Sequence, residues 1–264
     1  MSEATSTNAL ELSEVTMTIS GLTAVNKVTV DVKAGQIVSL IGPNGAGKTT
    51  TFNVISGYMR PTSGRIKLFG HDITGLSPDE IAQRGLARSF QRTSVLSGCT
   101  VRENLLTALH LQGKTGVWQS ILRLPSFHRE EAALRERADE LMQFLGLTAR
   151  ADELASTLAY GEQRLLGVGL ALATKPRVLL LDEPAAGLNP SETLVFKDMV
   201  RRIGDSGITV VLVEHDMHMV MSISDHIVVL NYGRLIATGT PHEIQHNPEV
   251  IRAYLGSGIQ NAQT

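Results

Sequence analysis

The segment that most constrains this chain is Gly42-Pro43-Asn44-Gly45-Ala46-Gly47-Lys48-Thr49. It follows directly on the apolar run 37–41, and a helix is expected over 48–56. A G-x-x-x-x-G-K-[ST] loop between strand and helix has a specific physical use. Its glycines let the backbone curl with successive N–H groups turned inward, and the helix adds the positive end of its dipole. The loop is therefore a cradle for phosphate oxygens. Lys48 would reach the β- and γ-phosphates of a nucleoside triphosphate, and the Thr49 hydroxyl would ligate Mg²⁺. Gly42, Pro43, Asn44, Gly45, Ala46, Gly47, Lys48, Thr49 and Thr50 form the expected phosphate-binding set. An accidental glycine-rich turn is the competing explanation, and the flanking strand and helix argue against it.

A second group of residues lies about 130 positions downstream. Val178-Leu179-Leu180-Leu181 is a strand-like run that ends in Asp182-Glu183-Pro184. Carboxylates at the end of a parallel strand suit a Mg²⁺ site, so Asp182 is expected to hold the metal, through water. Glu183 is then placed to polarise or deprotonate an attacking water. Taken alone, the same string reads as a strand ending in a solvated turn. The run 208–213 ends in Glu214-His215-Asp216, where His215 could hydrogen-bond near the γ-phosphate and position water. A zinc site pairing His215 with His218 lacks a third ligand-rich cluster. Gln91, in Arg88-Ser89-Phe90-Gln91, says little by itself.

Around these motifs the chain reads as α/β. Strand-like runs at 28–32, 36–41 and 65–69 are punctuated by Gly and Pro. Ser77-Pro78-Asp79-Glu80 is a capping box opening a short helix that stops near Gly85. From about 101 to 172 the pattern is helical, with Ala138, Leu141, Met142 and Leu145 forming a stripe that Leu134 extends. Asn189, Pro190 and Glu192 cap a helix ending near Gly204, and strand–helix–strand spacing there implies parallel pairing. Residues 227–230 and 235–237 flank Asn231-Tyr232-Gly233-Arg234 as a hairpin.

Composition removes several classes. With 24 Lys+Arg against 26 Asp+Glu, a net charge of −2 gives no basic excess for a nucleic-acid partner. Aromatics at 4% provide no extended base-stacking platform. The single cysteine, Cys99, cannot form an intrachain disulfide and fits a reducing compartment. Apolar runs fall far short of the roughly 18–20 residues of a membrane span, and no secretory signal is visible at the start. These features point to a soluble cytosolic chain.

Taken in order, the motifs resemble the ATP-binding subunit of ABC transporters. The resemblance covers nearly the whole chain, on residues 42–49 (Walker A), Gln91 (Q-loop), Leu158-Ala159-Tyr160-Gly161-Glu162-Gln163 (signature region), 179–183 (Walker B and catalytic Glu), Ala186-Gly187-Leu188-Asn189 (D-loop) and His215 (H-loop). Within the family it is most similar to the larger ATPase of branched-chain amino acid importers, through Ser89-Phe90-Gln91, Thr100-Val101-Arg102-Glu103-Asn104-Leu105, Leu158-Ala159-Tyr160-Gly161 and Val250-Ile251-Arg252-Ala253-Tyr254-Leu255-Gly256. Pro125-Ser126-Phe127 looks similar too, and urea and amide importers share much of this pattern.

The resemblance implies an α/β P-loop NTPase core, with an N-terminal antiparallel β region and an inserted α-helical subdomain. One cassette is expected over 8–258, built from 8–99 and 173–258 with the helical part at 100–172, and with flexible tails at 1–7 and 259–264. It implies ATP and Mg²⁺ as ligands, with Glu183, His215 and Gln91 catalytic and Thr49, Gln91 and Asp182 on the metal. It also implies that Ala159, Tyr160, Gly161 and Glu162 complete the nucleotide site of a second subunit in a head-to-tail dimer, with Gly161 opening a helix. The implied partners are a transmembrane permease, a second nucleotide-binding subunit (the same chain or a sister) and, indirectly, a periplasmic or extracellular substrate-binding protein. The implied location is the cytoplasmic face of a bacterial inner membrane. Two rivals, a soluble ABC ATPase of DNA repair or translation and a small-molecule kinase, leave features unexplained: the first usually has two cassettes or basic extensions, and the second has no use for the signature region.

Three departures matter. Ile19 stands where an aromatic residue usually stacks on adenine, which predicts weaker base selectivity with phosphate binding retained. Ala159 lacks the hydroxyl that usually contacts the γ-phosphate. Gly167 and Leu170 replace a customary Glu and Arg, which leaves a more apolar helix without that ion pair.

Overall fold

The computed structural model describes residues 8–89, 95–110 and 125–260. Its centre is a six-stranded sheet in the order β10-β9-β3-β8-β7-β6. The strands are β3 (Ile37–Ile41), β6 (Leu86–Ser89), β7 (Val178–Asp182), β8 (Thr209–Val213), β9 (His226–Asn231) and β10 (Arg234–Gly239). Pairing is parallel throughout except for the β9–β10 hairpin. Every residue of β3, β7 and β8 is buried, as expected of parallel strands covered on both faces.

The two faces separate by the period-two rule. Leu179, Leu181, Val210 and Leu212 pack into a core shared with the helical region. Val178, Leu180, Val211 and Val213 face a second core, which holds Phe52 of the helix Lys48–Ile55. That second core also contains Leu10, Leu12 and Val15 of β1 (Asn8–Ile19), with Ile66 and Leu68 of β4 (Ser63–Leu68). Strands β1 and β4, with β2 (Leu22–Lys33) and β5 (His71–Asp72), form an antiparallel sheet ordered β2-β1-β4-β5.

The helical region contains helices Val101–His110, Pro125–Leu145 and Tyr160–Ala173. The expected stripe is buried at Ala138, Leu141, Met142 and Leu145, with Leu134 packed partly against it. A side chain at Gly169 would meet Leu145 Cδ1 at 2.4 Å, so glycine is what allows these two helices to approach. Thr100 and Glu103 cap the first helix reciprocally, and buried Asn104 ties its start to the carbonyls of Leu96, Cys99 and Thr100. Asn189 caps Pro190–Asp205, with its side chain accepting from the Glu192 amide at 2.9 Å, as the sequence predicts. The last helix, Pro248–Gln260, carries two residues of the expected 259–264 tail. Among the described residues, no helix is long and apolar enough to cross a membrane.

Candidate active site

Three neighbouring parallel strands deliver the site. The carboxyl ends of β3, β7 and β8 open onto the Gly42–Thr49 loop, the Asp182-Glu183 pair and the Glu214-His215 pair respectively. In an open parallel sheet that edge is where ligands bind. A cavity of about 400 Å³ sits there, lined by Asn44, Gly45, Ala46, Gly47, Lys48, Thr49, Thr50, Glu183 and His215, with Leu22, Thr23, Ala24 and Tyr232 at its other side. A larger, mostly apolar groove of about 710 Å³ runs between the helix Pro78–Gln83 and the helical region, away from the phosphate loop.

The loop is shaped by glycines in left-handed conformations at Gly42, Gly45 and Gly47. At Gly47 an added Cβ would also lie 2.5 Å from the Ala24 carbonyl oxygen, so the loop packs directly on β2. Gly42 and Pro43 do not line the cavity. Their carbonyls accept hydrogen bonds from Lys48 Nζ at 2.6 and 3.0 Å, which parks the ammonium across the loop. Burial holds the Lys48 ammonium below its ordinary pKa, and the Glu183 carboxylate opposes that shift. A buried cation whose hydrogen bonds are to backbone carbonyls favours an anionic ligand.

Glu183 adopts φ 45°, a left-handed conformation unusual for a side chain of this kind. Its amide donates to Val213 O at 2.9 Å, and its carbonyl accepts from Ala186 N at 3.2 Å, so the turn is held on both sides. The Glu183 carboxylate lies 2.7 Å from His215 Nε2. His215 is in turn fixed from below by Glu214. That buried carboxylate accepts the amides of His215 at 3.0 Å and Ala185 at 2.7 Å. Burial pushes the Glu214 carboxyl above its usual range, against the pull of those amides.

Asp182 is almost fully enclosed and pairs with Arg88 at 2.7 Å. Arg88 also donates to Asn53 Oδ1 and Ser56 Oγ at 2.8 and 2.9 Å, joining β6, β7 and the helix after the loop. Thr49 and Asp182 offer the hard oxygen donors Mg²⁺ prefers. Mg²⁺ commonly takes only one or two carboxylates and fills the remaining positions from phosphate and water. The donor types present therefore suit that ion, while the Asp182 carboxylate is held by Arg88 and is absent from the cavity lining. Gln91 lies outside the described residues.

Ala159, Tyr160, Gly161 and Glu162 do not line this cavity. The helix opens at Tyr160 with Ala159 as its cap, one residue earlier than expected from Gly161. Glu162 accepts the Ala159 amide at 3.0 Å and pairs with Arg150 at 3.1 Å. Tyr160 and Arg164 both donate to the Ala186 carbonyl. Ile19 is also outside the lining, although its cross-strand partner Leu22 belongs to it.

Sequence reasoning passed over Arg88 and Glu214 as parts of this site. Each carried a signal: a charge inside the short strand Leu86–Ser89, and a carboxylate immediately after the buried run 210–213. Tyr254 of the last helix is a further link. Burial pushes its phenol up to about 12, while a hydrogen bond with the Gly42 backbone pulls it down.

Comparison with known proteins agrees with this geometry. The family model described as "ABC transporter" matches residues 25–186, and one described as "Branched-chain amino acid ATP-binding cassette transporter" matches 234–259. The chain is 48% identical to the high-affinity branched-chain amino acid transport ATP-binding protein BraF of Pseudomonas aeruginosa, over 94% of this chain and 97% of BraF. It is 46% identical to LivG of Escherichia coli K12, named for the same transport, over 94% and 97%. Among solved structures, the ADP conformation of the ATP-binding cassette MJ1267 superposes with a TM-score of 0.82 at 30% identity, covering 94% of this chain and 99% of that one. On that extent of agreement, the chain belongs to the ABC transporter family, as an ATP-binding subunit.

Proposed function

We propose that this chain hydrolyses ATP to power import of branched-chain amino acids through a separate membrane permease, from the cytoplasmic face of the membrane. The observation that carries the chemical part is the 2.7 Å contact between Glu183 and His215 at the rim of the phosphate-loop cavity. Inward N–H groups of the loop, Lys48 and the dipole of Lys48–Ile55 hold the phosphates. The Glu183 carboxylate accepts the proton of an attacking water, and His215 fixes that carboxylate in place. Thr49, Asp182 and Gln91 would hold Mg²⁺, which would supply neutralisation of phosphate charge.

Residues 159–162 sit outside this chain's own cavity, which supports a second subunit, either another copy or a sister, as their recipient. The substrate class rests on the 234–259 match and on relatives named for branched-chain amino acid transport.

Two measurements test the reading. Glu183→Gln should bind ATP with parental affinity while steady-state hydrolysis falls at least 100-fold, in line with loss of a general base; undiminished turnover would refute the assignment. Radiolabelled uptake in cells lacking the protein should fall for leucine and persist for urea and amides. The reverse pattern would replace the substrate.

A further inference from the structure

Besides Lys48 and the phosphate-loop residues, the cavity is lined by Leu22, Thr23, Ala24 and Tyr232. Tyr232 is the one phenyl-type ring among the lining residues, in a chain with only 4% aromatics. It is 76% exposed, so most of the ring is uncovered by protein.

Its backbone makes that placement costly. Asn231 and Arg234 pair directly, so Tyr232 and Gly233 alone form the hairpin turn. Their φ values are 44° and 74°, both left-handed. Turns of this kind favour Asn, Asp or Gly in the first position, where a bulky side chain is strained. Strain of this sort concentrates at functional sites. The turn is also clamped to the phosphate loop. Gly233 N donates to Ala46 O at 3.0 Å, and Asn26 N donates to Gly233 O at 2.7 Å. A Cβ on Gly233 would lie 2.6 Å from the Ala24 carbonyl oxygen, so the turn packs tightly on β2. The ring is thus carried by backbone fixed relative to the phosphate-binding amides.

We infer that Tyr232 is the stacking surface for the purine base of the nucleoside triphosphate. It supplies on the β9–β10 turn an aromatic face that aliphatic Ile19 does not offer on the β1–β2 hairpin. This inference rests on the nucleotide-site reading above.

The test is calorimetric binding of ATP and of inorganic tripolyphosphate to the full chain and two variants. Tyr232→Asn removes the ring but suits the left-handed turn, so the fold is kept and its thermal midpoint is equal or higher. It should weaken ATP binding by roughly 5- to 150-fold, the range expected for loss of one base–aromatic stack, and leave tripolyphosphate affinity unchanged. Tyr232→Phe should stay within about two-fold of the parent for both, because the stacking face is retained. Parental ATP affinity in Tyr232→Asn overturns the inference and leaves the nucleotide site standing. Equal weakening toward ATP and tripolyphosphate also overturns it, since the ring would then be shaping the phosphate loop. A parent that binds neither ligand overturns the nucleotide reading and this inference with it.

Discussion

Arg88→Met is expected to destabilise this fold strongly. The Arg88 and Asp182 side chains are 7% and 8% exposed and lie 2.7 Å apart. The guanidinium also bonds Asn53 and Ser56 and sits 5.8 and 5.7 Å from the ring centres of Phe52 and Tyr58. Methionine fills much of the same volume and keeps contact with those rings, but it leaves the Asp182 carboxylate buried beside an apolar side chain. Breaking one partner of a buried pair costs about 3–5 kcal/mol. For a chain of this size each kcal/mol moves the melting temperature by roughly 2–4 °C, so a fall of about 6–20 °C is expected. The network is enclosed, so added salt should change the loss little.

The assay is urea unfolding of the nucleotide-free protein, comparing the parent, Arg88→Met, Asp182→Asn and the double variant. Removing the second charge should restore part of the loss, with a coupling of at least about 1 kcal/mol between the two sites. An Arg88→Met protein within about 1 kcal/mol of the parent would refute the reasoning. So would a double variant no more stable than Arg88→Met, because the penalty would then come from packing and not from the stranded carboxylate.

Two further outcomes follow from the same coordinates. The folded Glu214 carboxyl titrates above the ordinary glutamate value, so between the two the native state holds its proton more tightly than the unfolded chain does. Stability therefore falls as pH rises from about 4.5 through that window, and Glu214→Gln should remove this slope in urea unfolding at stepped pH; parallel pH profiles for the two proteins would contradict it. Ala159 caps Tyr160–Ala173 with extended backbone (φ −59°, ψ 153°) and no side-chain acceptor, while Glu162 already binds its amide. Ala159→Ser completes that capping box and should add about 0.5–2 kcal/mol, and an unmoved urea midpoint would rule the gain out.

The parts of the fold that could be read ahead are those written locally. The phosphate loop, the Asn189 cap and the stripe Ala138, Leu141, Met142, Leu145 are each written within a short stretch of sequence. Strand β1 escaped notice for a physical reason. Its buried residues run Ala9, Leu10, Leu12 and then Val15, and the register shifts between Asn8 and Leu10 and again between Leu12 and Val15, where Glu14 takes φ 48°. Each such irregularity changes the parity of the inward positions, so alternation fails over the 12-residue strand. Strand β6 was hidden by its length of four residues and by Arg88, a charge whose partners are 32, 35 and 94 positions away. Within the site, Lys48, Glu183 and His215 could be assigned from motif order. The role of Glu214 depends on which amides lie above it, and no local pattern encodes that.

The segment after Glu183 explains why these scattered residues act as one site. Between Glu183 and Asn189 the backbone is bound from two sides. Ala185 N reaches Glu214 at the end of β8, and the Glu183 amide reaches Val213 O. The Ala186 carbonyl receives Tyr160 and Arg164 from the helical region. Gly187 lies against the Tyr160 ring, where a Cβ would be 3.2 Å from Cε1. The strained turn that aims Glu183 is therefore over-determined by contacts from both the sheet and the helical region, which is the condition under which such strain persists. Residues 159–162 begin the same helix that makes those contacts. The Glu183 carboxylate and the helix start proposed to serve a second subunit are consequently fastened to a single short stretch of chain.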